Sequence, residues 1–105
     1  MRVSAARFIP ASVRFPESEA RQDAWGRILE LQSNRARFLT RTRLEKGDRL
    51  SLSFDLPGEP MKDISAEVSA GERDEDGYYL CVLLFSDSAD RVRLGRVLQK
   101  ILVRS

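Results

Sequence analysis

The residues of this chain predict a mainly β fold: a small antiparallel six-stranded β-barrel with a C-terminal amphipathic α-helix. Three observations carry that expectation. Two stretches alternate strictly between apolar and polar residues on either side of a Pro-Gly turn, further strand-like segments follow one another with turn chemistry between them, and helical periodicity is confined to the last segment. A sheet of short strands with one dry face removes its edges by closing, and the final amphiphile then supplies a cover.

The seed is Arg49 to Leu56, where Leu50, Leu52, Phe54 and Leu56 alternate with Arg49, Ser51, Ser53 and Asp55. A period of two sends one set inward and the other to water. Pro57-Gly58 ends the strand, since proline lacks a donor and glycine accepts the positive φ of a tight turn. From Asp63 the alternation resumes, placing Ile64, Ala66, Val68 and Ala70 on the dry side of a second strand.

Upstream, Met1 to Ala6 has little apolar mass and reads as a flexible arm, so the domain is expected over residues 7–105. Arg7 to Phe15 is a first strand interrupted by Pro10, which suits an edge or a bulge. Residues 16–23 form a polar loop. Strands near 25–32 and 36–42 follow, joined at Ser33-Asn34, where asparagine tolerates left-handed backbone angles. Ile28, Leu29 and Leu31 crowd the first of these strands, with Glu30 among them. Leu44 to Asp48 turns the chain into the seed strand.

After the charged connection 71–77, Tyr78 to Phe85 is nearly all apolar, the pattern of a strand covered on both faces, with the last segment expected as its second cover. Leu94, Val97, Leu98, Ile101 and Leu102 fall on one face of a helix at about 87–103. Ser86 or Ser88 is expected to cap it, with Asp87 and Asp90 at its positive end.

Composition narrows the chemistry. The 105 residues include one cysteine and no histidine, which leaves no material for a zinc site or a Cys/His nucleophile. Cys81 sits within an apolar strand and reads as a small buried hydrophobe. No apolar run approaches the roughly 20 residues of a spanning helix, and no signal-type hydrophobic region opens the chain, so a cytoplasmic protein without membrane insertion is expected. The net charge is +2, but residues 1–50 carry eleven Lys/Arg against six Asp/Glu, whereas residues 51–105 carry seven against ten. Arg35, Arg37, Arg41 and Arg43 share one strand parity and should face outward, either as a basic stripe or as a solvated face with partners such as Glu30 or Glu67. Aromatic stacking platforms are missing among them, so DNA is not expected as a partner and a single-stranded nucleic-acid barrel is a remote reading. The acidic turn Asp74-Glu75-Asp76 lacks the companions of a catalytic site, and the chain is not expected to be an enzyme.

Several phrases, taken in order, resemble the PilZ domain, a bacterial module whose typical members bind cyclic di-GMP. They are Val13-Arg14-Phe15, Gly26-Arg27-Ile28, Ala36 to Thr40, Glu45-Lys46-Gly47-Asp48, Ile64 to Val68, and Leu83-Leu84-Phe85 before a helix. The resemblance covers about residues 7–102 and implies the same barrel, a role in second-messenger signalling of motility or surface behaviour, and protein partners. Typical members carry Arg-x-x-x-Arg before the first strand and (Asp/Asn)-x-Ser-x-x-Gly between the next two. Guanidinium groups suit phosphates and guanine edges, and glycine admits close backbone approach.

Both motifs are altered here. The second falls on residues 30–35, with Glu30 for Asp/Asn, Gln32 for Ser and Arg35 for Gly. Arg2 and Arg7 are separated by four residues rather than three. The resemblance thus implies a degenerate PilZ-like regulator or adaptor that works through protein contacts, with cyclic di-GMP binding weakened or lost. The alternative is a functional receptor holding the dinucleotide through Arg2, Arg7, Glu30, Gln32 and Arg35. No cofactor or metal is expected, and cyclic di-GMP enters only as a ligand. If the glycine position demands positive φ, Arg35 costs about 1 kcal/mol or changes the turn.

Overall fold

The computed structural model describes the backbone of residues 2–18 and 20–104 and the side chains of residues 9–18 and 20–101. Six strands, β1 (Arg2–Arg14), β2 (Ala24–Gln32), β3 (Arg35–Thr40), β4 (Arg49–Leu56), β5 (Glu59–Arg73) and β6 (Tyr79–Phe85), precede one helix, α1 (Ser88–Arg104). All neighbouring strands are antiparallel, and they close into a barrel in the order β1-β2-β3-β6-β5-β4. Alternating residues fill the interior: Leu50, Leu52, Phe54 and Leu56 from β4 meet Ile64, Ala66 and Val68 from β5, with Phe38, Leu83 and Phe85 across from them. Thr40 is a buried polar residue, and its hydroxyl is satisfied by donating to the Trp25 carbonyl at 2.8 Å and accepting from the Thr42 amide at 3.2 Å.

β1 and β5 are longer than the alternation indicated because irregularities carry them past breaks in the pattern, whereas β3 stops at Thr40 short of the expected residue 42. β1 reaches back to Arg2, pairing Arg2 with Gln32 and Ser4 with Glu30 before an irregularity that ends at Ile9. In β5 the register slips at two places. Two residues, Lys62 and Asp63, oppose the single residue Ser53, and Asp63 takes a left-handed φ of 54° while its amide donates to the Ser53 hydroxyl at 2.9 Å. The second slip lies between Val68 and Ala70, and it reverses the expected placing of Ala70, which is exposed instead of joining Ile64, Ala66 and Val68 inside. An extra residue in a strand flips every side chain beyond it.

Gly26 and Gly58 show what glycine does here. Gly58, at φ 75°, turns the β4–β5 hairpin as expected. Gly26 lies beneath the fully buried Phe38 ring, and a Cβ at that position would overlap the ring and press on the Leu39 carbonyl oxygen. The turn at Ser33-Asn34 uses no left-handed residue, contrary to the reading of Asn34.

The helix differs from expectation in position and cap. It lies across the end of the barrel that bears the β2–β3 and β4–β5 turns, where Arg93 Nη2 donates to Glu59 Oε1 at 2.8 Å and to the Pro60 carbonyl at 3.3 Å. Leu94, Val97 and Leu98 are buried against the core. The helix is therefore not the second cover expected for β6, and Leu84 is 42 % exposed. Asp87, rather than either serine, caps the helix: its Oδ1 accepts from the Ala89 amide at 2.8 Å and the Asp90 amide at 3.3 Å.

The loop before β4 is held by Asp48. Its Oδ2 accepts from the Glu45 amide at 2.9 Å and from Arg21 Nη1 at 3.1 Å, while Arg21 Nη2 donates to the Arg43 carbonyl at 2.9 Å and the guanidinium lies 3.8 Å from the Phe15 ring centroid. Burial acts to raise the carboxyl's pKa, but the Glu45 amide and the Arg21 guanidinium outweigh it and hold Asp48 below its ordinary value of 3.8. Burial, followed by the charge of Asp48, pushes the Cys81 thiol up to about 11.

Two outcomes follow for stability. Gly26→Ala is expected to destabilise the barrel by about 1–3 kcal/mol through overpacking, read as a lower urea midpoint; an unchanged midpoint would show that Phe38 has room to move. Because the folded-state pKa of Asp48 is depressed, its contribution is complete above the unfolded value of 3.8 and disappears as pH falls through the lowered folded value. Asp48→Asn is expected to cost about 1 kcal/mol near neutrality, with the gap to the unsubstituted protein closing as pH drops below that of the unfolded carboxyl.

Candidate functional site

Ile28 and Leu31 are both fully buried although three residues apart in β2. Simple alternation would turn one of them outward and send Glu30 and Gln32 into the core. The β2–β3 register slips between Ile28 and Glu30, with Leu29 as the extra residue, and this resolves the conflict. Beyond the bulge Leu31 points inward, and Glu30 and Gln32 stand on the outer side. The next strand begins at Arg35, whose parity places Arg35 and Arg37 on the same outer side as exposed residues, while Ala36 and Phe38 are buried.

These residues form a shallow groove of about 230 Å³, lined by Glu30, Gln32, Arg35, Ala36, Arg37 and Val82. The three positions read from the altered second motif thus come together on one surface. Arg37 and Val82 join them, neither having been singled out as a ligand contact. The signal for Arg37 was its shared parity with Arg35, and the structure makes it the cross-strand partner of Glu30. The signal for Val82 was absent, because the β3–β6 pairing that puts Val82 opposite Arg37 joins strands far apart in the chain.

The polar groups of the groove are engaged with one another. Arg37 Nη1 lies 3.3 Å from Glu30 Oε1, and Arg35 Nε donates to Gln32 Oε1 at 3.4 Å. The feared backbone cost at Arg35 does not arise, since its φ is not in the left-handed region and the residue simply opens β3. What Arg35 changes is the surface: a long cation stands where a glycine would let a ligand approach the backbone. Arg2 is opposite Gln32 in register, and Arg7 falls within the irregular part of β1 between Ser4 and Ile9. The side chains of both lie outside the described residues, so the proposed arginine pair is located here by backbone alone.

The rest of the basic stripe is solvated. Arg41 lies over Tyr78, 4.9 Å from its centroid, and Arg43 pairs with Glu45 at 2.8 Å. Among the described residues no cluster of three or more potential metal ligands occurs, and no helix is long and apolar enough to cross a membrane.

No family profile and no curated protein matches the sequence. Solved structures do match. Escherichia coli YcgR in complex with c-di-GMP superposes with a TM-score of 0.75 at 12% identity, over 99% of this chain and 45% of that one. The Bacillus subtilis inhibitor of motility MotI/DgrA gives 0.70 at 15% identity, over 96% and 49%. K. pneumonia MrkH in its apo state gives 0.73 at 14% identity, over 99% and 50%. The chain spans about half the length of each of these proteins.

Since the Arg37–Glu30 pair is partly solvated, it is expected to add little to the fold. Arg37→Ala should move the unfolding free energy by less than about 1 kcal/mol in a urea titration, and a loss of several times that amount would make the pair a structural element instead of a surface available to a ligand.

Proposed function

Because the chain has the PilZ fold, we propose that it is a signalling adaptor or regulator of the cyclic di-GMP type, acting through protein contacts, in which dinucleotide binding is weakened or lost. The observation that carries this reading is the internal pairing of the groove. Glu30 and Arg37, and Gln32 and the Arg35 Nε, already bond to one another, so a ligand that takes up Glu30, Gln32 or the Arg37 guanidinium must displace these contacts. Each motif change adds to that. Glu30 moves the carboxylate one methylene outward, Gln32 fills space where a small hydroxyl is expected, and Arg35 blocks approach to the backbone. A polar partner lost from a buried contact costs about 1–3 kcal/mol.

The neighbours support the general role. One of them is described with c-di-GMP bound and another as an inhibitor of motility, which favours second-messenger control as the setting. A non-enzymatic role rests on composition, since the chain has no histidine and a single cysteine, and that cysteine is buried.

The second reading, a working receptor, is favoured by one feature: the groove retains two guanidinium groups, and Arg2 is in register with Gln32 at its edge. Calorimetric titration with cyclic di-GMP separates the two. The adaptor reading expects no binding at micromolar ligand. It also expects the triple substitution Glu30→Asp, Gln32→Ser and Arg35→Gly to tighten binding by at least about tenfold, equivalent to about 1.4 kcal/mol. Micromolar or tighter binding by the unsubstituted chain, abolished by Arg2→Ala or Arg7→Ala, would replace the adaptor with the receptor.

A further inference from the structure

β6 is apolar on both faces, but the barrel uses only one of them. Cys81, Leu83 and Phe85 point inward and are buried, whereas Leu80, Val82 and Leu84 line the outside, Leu84 exposed and the other two partly so. A strand that faces water on one side ordinarily alternates with polar residues.

Charge is distributed across this face in a definite way. The registers place Arg35 of β3 and Glu67 of β5 on either side of Leu84, and Arg37 and Ala70 on either side of Val82. At the level of Leu84 the β3 flank is therefore cationic through Arg35 and the β5 flank acidic through Glu67, with an apolar ridge between them, and Arg49 of β4 stands opposite Glu67 on its far side. Arg35 commits only its Nε to Gln32, leaving its terminal nitrogens to other acceptors. Glu67 has no ion-pair partner within 4 Å among the described residues.

A face with an apolar centre and opposite charges on its flanks is complementary to itself. Laying one copy on another about a two-fold axis parallel to β6 stacks ridge on ridge and sets the Arg35 flank of each copy over the Glu67 flank of its mate. A two-fold axis perpendicular to β6 within the interface would instead oppose like charges. Closed two-fold pairs are the commonest form of homo-oligomer. We propose that the outer face of β3, β6 and β5 is a homodimer interface, in which Leu84 packs on its symmetry mate and Arg35 pairs with Glu67 of the second copy.

The occupant argued for is a second copy because the charge pattern pairs with itself in one orientation. This does not depend on whether the groove binds a dinucleotide. Seven residues of β6 span about 23 Å, and three strands about 14 Å, so the contact is small by the standard of stable complexes. Association is accordingly weak and concentration-dependent.

Sedimentation equilibrium on the full chain, over about 10–500 µM, which brackets weak association, tests this. The mass is expected to rise from 12.0 kDa towards twice that value, and Leu84→Arg or Arg35→Glu to hold it at the monomer with circular dichroism unchanged. The double reversal Arg35→Glu with Glu67→Arg restores the opposed charges and is expected to restore the dimer. A chain that stays at 12.0 kDa throughout leaves this face to a different protein and overturns the proposal, as does a dimer indifferent to both single substitutions. A double reversal that remains monomeric overturns the Arg35–Glu67 pairing.

Discussion

One packing demand shapes the candidate groove of this molecule: Ile28 and Leu31 must both enter the same core from the same strand. A regular strand cannot do this with side chains three residues apart. The bulge at Leu29 meets the demand, and in doing so it fixes which way Glu30 and Gln32 face. Had the strand continued unbroken, the barrel would have to bury a carboxylate and an amide, at a cost of several kcal/mol in the absence of partners. Core packing and site geometry in β2 are therefore a single constraint. The β2–β3 turn then brings Arg35 and Arg37 alongside, and closure of the barrel through β3 and β6 adds Val82 as an apolar wall.

The groove that results is polar and already internally bonded. Two guanidinium groups face one carboxylate and one amide across a hairpin, and the structure resolves these charges by pairing them. A glycine at residue 35 would leave exposed backbone for a ligand, whereas arginine offers a cation with a long stem. Arg35 also stands between the groove and the apolar ridge of β6, so one side chain borders both surfaces.

Much of this was legible in the residues. Alternation in β4, the Pro57-Gly58 reversal and the 3.6-residue period of the last segment are local patterns, and local patterns survive into the structure as a hairpin and a helix. The outward parity of Arg35 and Arg37 was likewise set by the strand period, whereas Arg41 and Arg43 lie past the end of β3 at Thr40. What local pattern does not contain is register. Ala70 was assigned inward because the slip at Ser69 depends on how β5 meets β6, strands whose pairing the alternation of β5 alone does not specify. A strand apolar on both faces, as β6 is, points to the helix as its cover, yet the ends of a barrel are also apolar and open, and α1 closes one of them. The cap went to Asp87 over either serine because its carboxylate reaches two amides at once. At the site, the frame over residues 30–35 was readable, while the partnership of Arg37 with Glu30 required the hairpin register.

Glu30, Gln32 and Arg37 of the groove are already bonded within it, Arg37 to Glu30 and Gln32 to the Arg35 Nε. The most direct measurement is a set of backbone amide NMR spectra of the labelled chain with cyclic di-GMP titrated through the micromolar range. Shifts confined to scattered exposed positions are expected, with residues 30–37 and 82 unmoved. A concerted displacement of those same amides, saturating with ligand, would contradict this and show a groove still able to open for a dinucleotide.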